Sequence, residues 1–428
     1  MAEIARAAAA DPSGDELVAR ARELVPRLRE RAERCERERR IPEESVRELK
    51  QAGLFRILQP RAFGGYELDF ASYVRVAIEL GRGCASTAWV YENNSMHQLI
   101  LALFPAETQK ELWGSGDPVR DARIASTGWS PRRTGAVPVA GGYVLDGHWE
   151  FASGSWNCDL DVLLAPVERP GKTVGPPEMR LFLLDRAAGE YEIVDTWHAM
   201  GLRGTSSNDI RVHEQFVPEH RTLAWADANR TPERGVTVQG AGVHDSVWHR
   251  VPVWDWMGWT VAPALIGAAR SALEATVDRL GTRTNLFREK LADTQAVQLR
   301  IADVAARIDA AETLLLRDVE ETERRYGSWE APSVLLRATW RRNQAFTARL
   351  LLEAVESLLY RGGAHGIRAG DRVERAYRDV GAGVTHVGCD WDVWGRVYGL
   401  ALLGHDIAIP NFGFFPAALV KERKEADS

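Results

Sequence analysis

With 428 residues, 45% of them apolar, 27% charged and a formal charge of −6, the chain has material for two or three packed domains. The charge is spread without a basic block, which argues against nucleic acid or an anionic membrane as partner and for a neutral small molecule. Cys35, Cys84, Cys158 and Cys389 lie far apart and form no CxxC or Cys/His ligand spacing. That pattern predicts reduced thiols and no metal centre and, with no apolar leader in residues 1–12, a soluble cytoplasmic protein. Fifteen tryptophans, several clustered at Trp248, Trp254, Trp256 and Trp259 and at Trp391 and Trp394, suggest flat apolar pockets or subunit contacts. Core packing is the default for each one singly.

From Glu16 to about Arg39, Leu17, Ala21, Leu24, Val25 and Leu28 form an apolar stripe at helical spacing, which predicts an amphipathic helix. A second helix has Pro42 in its first turn, Glu43 and Glu44 against the helix dipole, and Gly53 as its stop. Leu54 to Gly65 reads as extended, ending in a Gly-Gly turn, and apolar helical stretches follow at Phe70 to Gly83 and Ala85 to Phe104. Near Arg123 the texture changes to short alternating runs broken by Gly, Pro, Asn and Asp, the pattern of an antiparallel β module. Gly141-Gly142 and Asp146-Gly147 are its candidate hairpin turns. A polar passage then leads to long helical stretches at Ala262 to Leu280, Leu291 to Tyr326, Ser333 to Leu359 and Trp391 to Leu403, which predict a four-helix bundle. The order is α, β, α bundle, with domains at 1–122, 123–234 and 235–428.

Five phrases narrow this layout. They are GGYVLDGHWEFASG from Gly141, GLRGTSSNDIRVHEQFVP from Gly201, RTNLFREKLADTQAVQLRIAD from Arg283, RGGAHG from Arg361 and RAYRDVGAGVTH from Arg375. In this order, from about residue 42 to about residue 404, they resemble the acyl-CoA dehydrogenase superfamily. The resemblance implies an α+β fold of that type: an N-terminal helical domain, a central antiparallel β-barrel-like domain and a C-terminal four-helix bundle. Two departures choose the branch. Dehydrogenases of acyl thioesters carry a carboxylate base near the closing Arg-Asp motif, where this chain has Val384, Thr385, His386, Val387 and Gly388. They also tend to have a Thr-Glu-Pro turn in the first strand, where this chain has Thr127, Gly128 and Trp129. The phrases GCASTAWVY, HWEFASG and TWHAMGLRGT and the His386 segment instead look like the oxygenase components of hydroxyphenylacetate and hydroxysteroid hydroxylases.

What that resemblance implies is a two-component monooxygenase. It takes reduced flavin, FMNH2 or FADH2, from a separate NAD(P)H:flavin reductase, reacts it with O2 to a flavin C4a-hydroperoxide, and hydroxylates a small aromatic or polyketide-like substrate. Ser153 would present its hydroxyl to the flavin ring; read without the family, it is a turn-capping serine. His386 would deprotonate a phenol or hold the peroxide, and otherwise is a structural hydrogen-bonder. His97 would line the same pocket. Thr127, Trp129, Ser153, Arg283, Phe287, Gln295, Gly362 and Gly363 are the implied flavin contacts, with Arg283 and Gln295 reaching phosphate or ring from a neighbouring subunit of a homotetramer. No GxGxxG or Walker phosphate cradle is present, and no nicotinamide site is visible. The alternatives are an amino-sugar N-oxygenase resembling nitrososynthases, an acyl-CoA dehydrogenase or flavin oxidase, and a non-catalytic scaffold of the same fold.

Overall fold

Ser13 and Glu16 close a capping box, the side chain of each bonding the backbone N–H of the other, and from it α1 (Gly14–Glu38) buries Leu17, Ala21, Leu24, Val25, Leu28, Ala32 and Cys35. The computed structural model describes residues 11–117, 124–128, 130–168, 177–230, 240, 242, 244–285, 287–361, 366–405 and 407. α2 (Glu43–Gln51) stops before Gly53 as expected. The extended reading of 54–65 is corrected: two 3-10 turns, Leu54–Arg56 and Arg61–Phe63, fold this stretch back on itself. Asp69 caps α3 (Phe70–Gly83) by accepting from Ser72 N at 2.7 Å. α4 (Ala85–Leu101) is buried around nearly its whole circumference, and α5 (Ala106–Trp113) is a helix the sequence pattern did not reveal.

Eight strands follow: β1 (Ala125–Gly128), β2 (Ser130–Val139), β3 (Gly142–Ala152), β4 (Leu160–Val167), β5 (Glu178–Asp185), β6 (Glu192–Val194), β7 (Asn208–Pro218) and β8 (Thr222–Ala224). They pair in the order β6-β7-β3-β2-β4-β5-β8, with β1 alongside β4. The sheet is mixed rather than purely antiparallel, because β1 runs parallel to β4 and β2 meets β4 in one parallel pairing. It also curls over. Trp149 on β3 donates its indole N–H to the Leu164 carbonyl on β4 at 2.8 Å, and Tyr143 on β3 meets Phe182 on β5 edge-on at 5.5 Å, both across intervening strands. Val139 pairs with Gly142 around a two-residue hairpin loop, as expected there. Asp146 and Gly147 do not turn the chain. They lie inside β3, opposite Gly135 and Thr134, at a register shift in the pairing with β7.

After α6 (Trp225–Ala228) and α7 (Val253–Trp256), the chain forms α8 (Ala262–Leu280), α9 (Gln295–Gly327), α10 (Val334–Arg361), α11 (Arg372–Gly383) and α12 (Trp391–Leu403). α11 was legible only as a motif, and His386 follows it in a short 3-10 turn rather than in a helix. One apolar core runs through both helical parts, from Leu17 and Tyr73 to Ile266, Val319, Val355 and Val380. α3 and α8 touch backbone to backbone: a Cβ on Gly267 would sit 2.6 Å from the Gly81 Cα, and one on Gly81 would sit 2.7 Å from the Ala264 carbonyl. Trp248, Trp254, Trp256 and Trp259 are all buried, so these four are core residues. Among the described residues no helix is long and apolar enough to cross a membrane.

Candidate active site

Trp89, Asn93 and His97 recur every four residues on α4, which puts them on one face. Trp89 is where four distant segments meet. Its indole N–H donates to Ser153 Oγ at 3.1 Å, just beyond β3, and its ring lies edge-on to His386 at 5.7 Å. Ser153 Oγ is 2.8 Å from Ser207 Oγ, which is 2.8 Å from Thr205 Oγ1. Phe151 (φ +65°) and Gly154 (φ +83°) bracket Ser153 in left-handed backbone, and the Gly154 N–H donates to the Thr205 carbonyl at 2.7 Å. Phe151 is 59% exposed and stands edge-on to Trp197 at 6.5 Å, leaving an aromatic lip beside the serine.

The hydroxyl row has a direction. Thr205 gives its one hydroxyl proton to the Leu202 carbonyl at 2.9 Å, so it accepts from Ser207, and Ser207 in turn accepts from Ser153. With Trp89 donating to it as well, Ser153 keeps one free acceptor lone pair.

His97 is buried with both nitrogens engaged: Nδ1 donates to the Ala125 carbonyl at 2.6 Å, and Nε2 lies 3.3 Å from Thr127 Oγ1. Burial holds its pKa down to about 4, so the ring is neutral and ties β1 to α4. His386 has a solvent-open face, and its Nδ1 accepts from the Gly388 N–H at 3.1 Å. The protein packed around the ring, and secondarily the Arg341 guanidinium, push its pKa below the ordinary imidazole value. A neutral imidazole that accepts at Nδ1 carries its proton on Nε2, so His386 offers the recess a donor. Glu92, the buried carboxyl on the same helix, is used elsewhere: its Oε2 accepts from Ala264 N at 3.0 Å, inside the first turn of α8.

The structure brings together Ser153, Thr127, His97 and His386 around one face of α4. It does not bring the remaining described candidates there. Arg283, Phe287 and Gln295 occupy the loop between α8 and α9, where Asn285 Oδ1 accepts from the Phe287 and Glu289 N–H groups, Phe287 is 84% exposed and Gln295 is exposed. Trp129, Gly362 and Gly363 lie outside the described residues. Trp89, Thr205 and Ser207 were not singled out in the sequence, although all three fall inside the quoted phrases.

Residues 12–116 match the model of the acyl-CoA dehydrogenase N-terminal domain, and residues 259–391 match that of the C-terminal domain. The chain is 35% identical, over 91% of its length and 94% of the relative's, to the FADH(2)-dependent resorcinol hydroxylase, oxygenase component, of Rhizobium sp. (strain MTP-10005). The chain belongs to the acyl-CoA dehydrogenase family. Within that family it stands with the flavin-dependent monooxygenases. The crystal structure of 3-HSA hydroxylase from Rhodococcus sp. RHA1 superposes with a TM-score of 0.85 at 30% identity, covering 93% of this chain and 99% of that one. XiaF from Streptomyces sp., solved with FADH2 and glycerol, superposes with a TM-score of 0.82 at 25% identity, covering 93% and 97%. A monooxygenase of this family has to seat a flat heterocycle, and the residues present fit one. A hydroxyl row ends in a free acceptor, an exposed aromatic lip lies beside it, and an imidazole donor lies across Trp89.

Proposed function

We propose that this chain is the oxygenase component of a two-component aromatic hydroxylase, working in the cytoplasm on reduced flavin delivered by a separate NAD(P)H:flavin reductase. The observation that carries the reading is the indole of Trp89, which joins the Ser153 hydroxyl row to His386. When bound, reduced flavin supplies the activation of dioxygen. The protein supplies position and polarity. Ser153 holds the ring edge with its remaining lone pair, which suits an N–H; reduced flavin carries a hydrogen on its central-ring nitrogen, and oxidised flavin has none there. Trp89 and Ser207 fix the rotor of that hydroxyl. His97 fixes the Thr127 hydroxyl on the opposite side. His386 donates from Nε2 to oxygen, either at the reacting oxygen or at a phenolic group of the substrate. Its service as a base would first need the Gly388 bond broken and the tautomer exchanged.

Arg283, Phe287 and Gln295 serve in this reading as an arm toward the flavin of a neighbouring subunit, with Gly362 and Gly363 as a further approach and Trp129 beside the ring. The assembly is a homotetramer, supported by the exposure of Leu335, Phe346, Leu402 and Leu403 on the C-terminal helices. A monomer by light scattering at micromolar concentration removes that part. The working domain boundaries are 1–122, 123–234 and 235–428. The deciding experiment is an anaerobic titration with FMNH2 and FADH2, followed by mixing with oxygen and a simple phenol. Saturable binding of reduced flavin and substrate-dependent oxygen transfer are expected. Stoichiometric oxidised flavin in the isolated protein, reducible by an acyl thioester, overturns the reading.

A further inference from the structure

Behind the recess lies a pair of thiols. Cys35 is in the last turns of α1, and Cys84 is the residue from which α4 starts, five positions before Trp89. Both are buried, yet they share a hydrogen bond. Cys158, by contrast, bonds the Ser155 carbonyl and the Tyr191 hydroxyl. The Cys35 sulfur packs so closely on Gly204 that a Cβ there would sit 2.2 Å from it, and the Gly204 N–H donates to Ser86 Oγ at 3.2 Å. The thiol pair therefore backs directly onto the segment that carries Thr205 and Ser207.

The two sulfurs are not equivalent. The bond from Cys35, then the Thr87 hydroxyl, hold the Cys84 thiol down at about 6, with the charge of Arg375 helping, whereas the same bond and burial push Cys35 well up. Cys84 also has a route to solvent. A cavity of about 30 Å³ is lined by Cys84, Asp379 and three arginines, Arg29, Arg372 and Arg375. That volume holds a molecule of the size of one or two waters. The arginine side chains are each partly solvent-exposed, which puts the mouth of the cavity at the surface. Arg29 Nε and Arg372 Nε are buried and have no hydrogen-bond partner among the described residues, so two N–H donors are available to a small oxygen compound entering there. The low-pKa thiol, the adjacent second thiol and the small cationic access cavity have one common use.

We propose that Cys84 is a peroxide-reactive thiol and Cys35 its resolving partner, so that hydrogen peroxide closes a Cys35–Cys84 disulfide behind the active site. The Cys84 thiolate attacks one peroxide oxygen, the O–O bond breaks, and the departing hydroxide takes a proton to leave as water, giving a sulfenic acid. The Cys35 sulfur then attacks the Cys84 sulfur, the S–O bond breaks, and a second water leaves with the Cys35 proton. In balance, two thiols and one hydrogen peroxide give one disulfide and two waters; the sulfurs lose two electrons and the peroxide gains them. Only the source of the peroxide rests on the proposed function, since an oxygenase that fails to pass oxygen to its substrate releases it.

The test uses the full chain, reduced and free of flavin, so its outcome does not depend on the oxygenase reading. The protein is titrated with hydrogen peroxide, remaining thiols are alkylated, and peptides are mapped by mass. The expected product is one intramolecular link between the Cys35 and Cys84 peptides, lighter by two hydrogens and reversed by dithiothreitol. It should form at least about tenfold faster than any change at Cys158 or Cys389. In Cys35→Ser, Cys84 should instead proceed to the sulfinic acid. The proposal is overturned if Cys84 of the unaltered protein stays fully alkylatable while other thiols oxidise, if it reaches the sulfinic acid with Cys35 intact beside it, or if the link joins different cysteines.

Discussion

The two regions that the family resemblance assigns to flavin are built in opposite ways. Around Trp89 every polar group has a partner from a distant segment: Ser153 lies 64 residues away and is held on two sides, and both nitrogens of His97 are bonded. On the loop from Arg283 to Gln295 the contacts are local, from Asn285 to its own neighbours, and Phe287 stands in solvent. A single chain thus completes the end that would grip the ring and leaves open the end that would grip the phosphate. Ring chemistry and cofactor retention are therefore separable properties, and FMN or FAD preference belongs to the second.

That contrast can be broken most sharply at His386. His386→Ala should leave fold and assembly intact while product formation falls by about a hundredfold or more in rate, with the consumed oxygen recovered as hydrogen peroxide. Unchanged product per flavin oxidised would make the ring merely structural.

His97 tests whether the ring end is as rigid as its bonding suggests. The folded protein takes up this proton only near pH 4, whereas the unfolded chain takes it up near 6.5. Between those values the unfolded state carries the extra proton, so stability is full above about 6.5 and falls as pH drops toward about 4, by up to roughly 3 kcal/mol. Urea unfolding across that range measures it, and His97→Gln should flatten the slope.

At the open end, Arg283→Ala should weaken reduced-flavin binding about tenfold, the loss of one charge-assisted bond, without altering coupling at saturating flavin. A change in coupling would mean that the two ends are not separable. The smallest effect is expected at Ser153. Ser153→Ala should lower the preference for reduced over oxidised flavin about fivefold, as one net hydrogen bond allows, and equal loss for both forms would refute the direction assigned to the hydroxyl row.

Much of this was legible in the sequence because it is written in local signals. The capping box at Ser13, the stop at Gly53 and the limits of α3 and α8 follow from neighbouring residues. The family phrases located Ser153 and His386, but not what joins them. The Trp89 indole reaches residues 64 and 297 positions away (153 − 89 and 386 − 89), and no periodicity encodes such a meeting. The parallel pairing of β1 with β4 was hidden for the same reason, and so was the turn at His386, since glycine and valine around it fit helix and loop equally.

A contact that contains no side chain has no size to vary. Where Gly81 of α3 lies on Gly267 of α8, the spacing of the two helices is the thickness of the backbone itself, and any added carbon meets a main-chain atom at 3.0 Å or less. The wall that carries α4 into the recess is thereby fixed to the bundle like a door frame to masonry. Room for a larger or smaller substrate has to be made on the other jamb, in the turn from His386 to Cys389, where Val387 faces solvent and Gly388 has the Gln344 amide 3.0 Å from where a Cβ would sit. A library meant to change what this enzyme hydroxylates should begin with those two positions and leave the glycines of α3 and α8 alone.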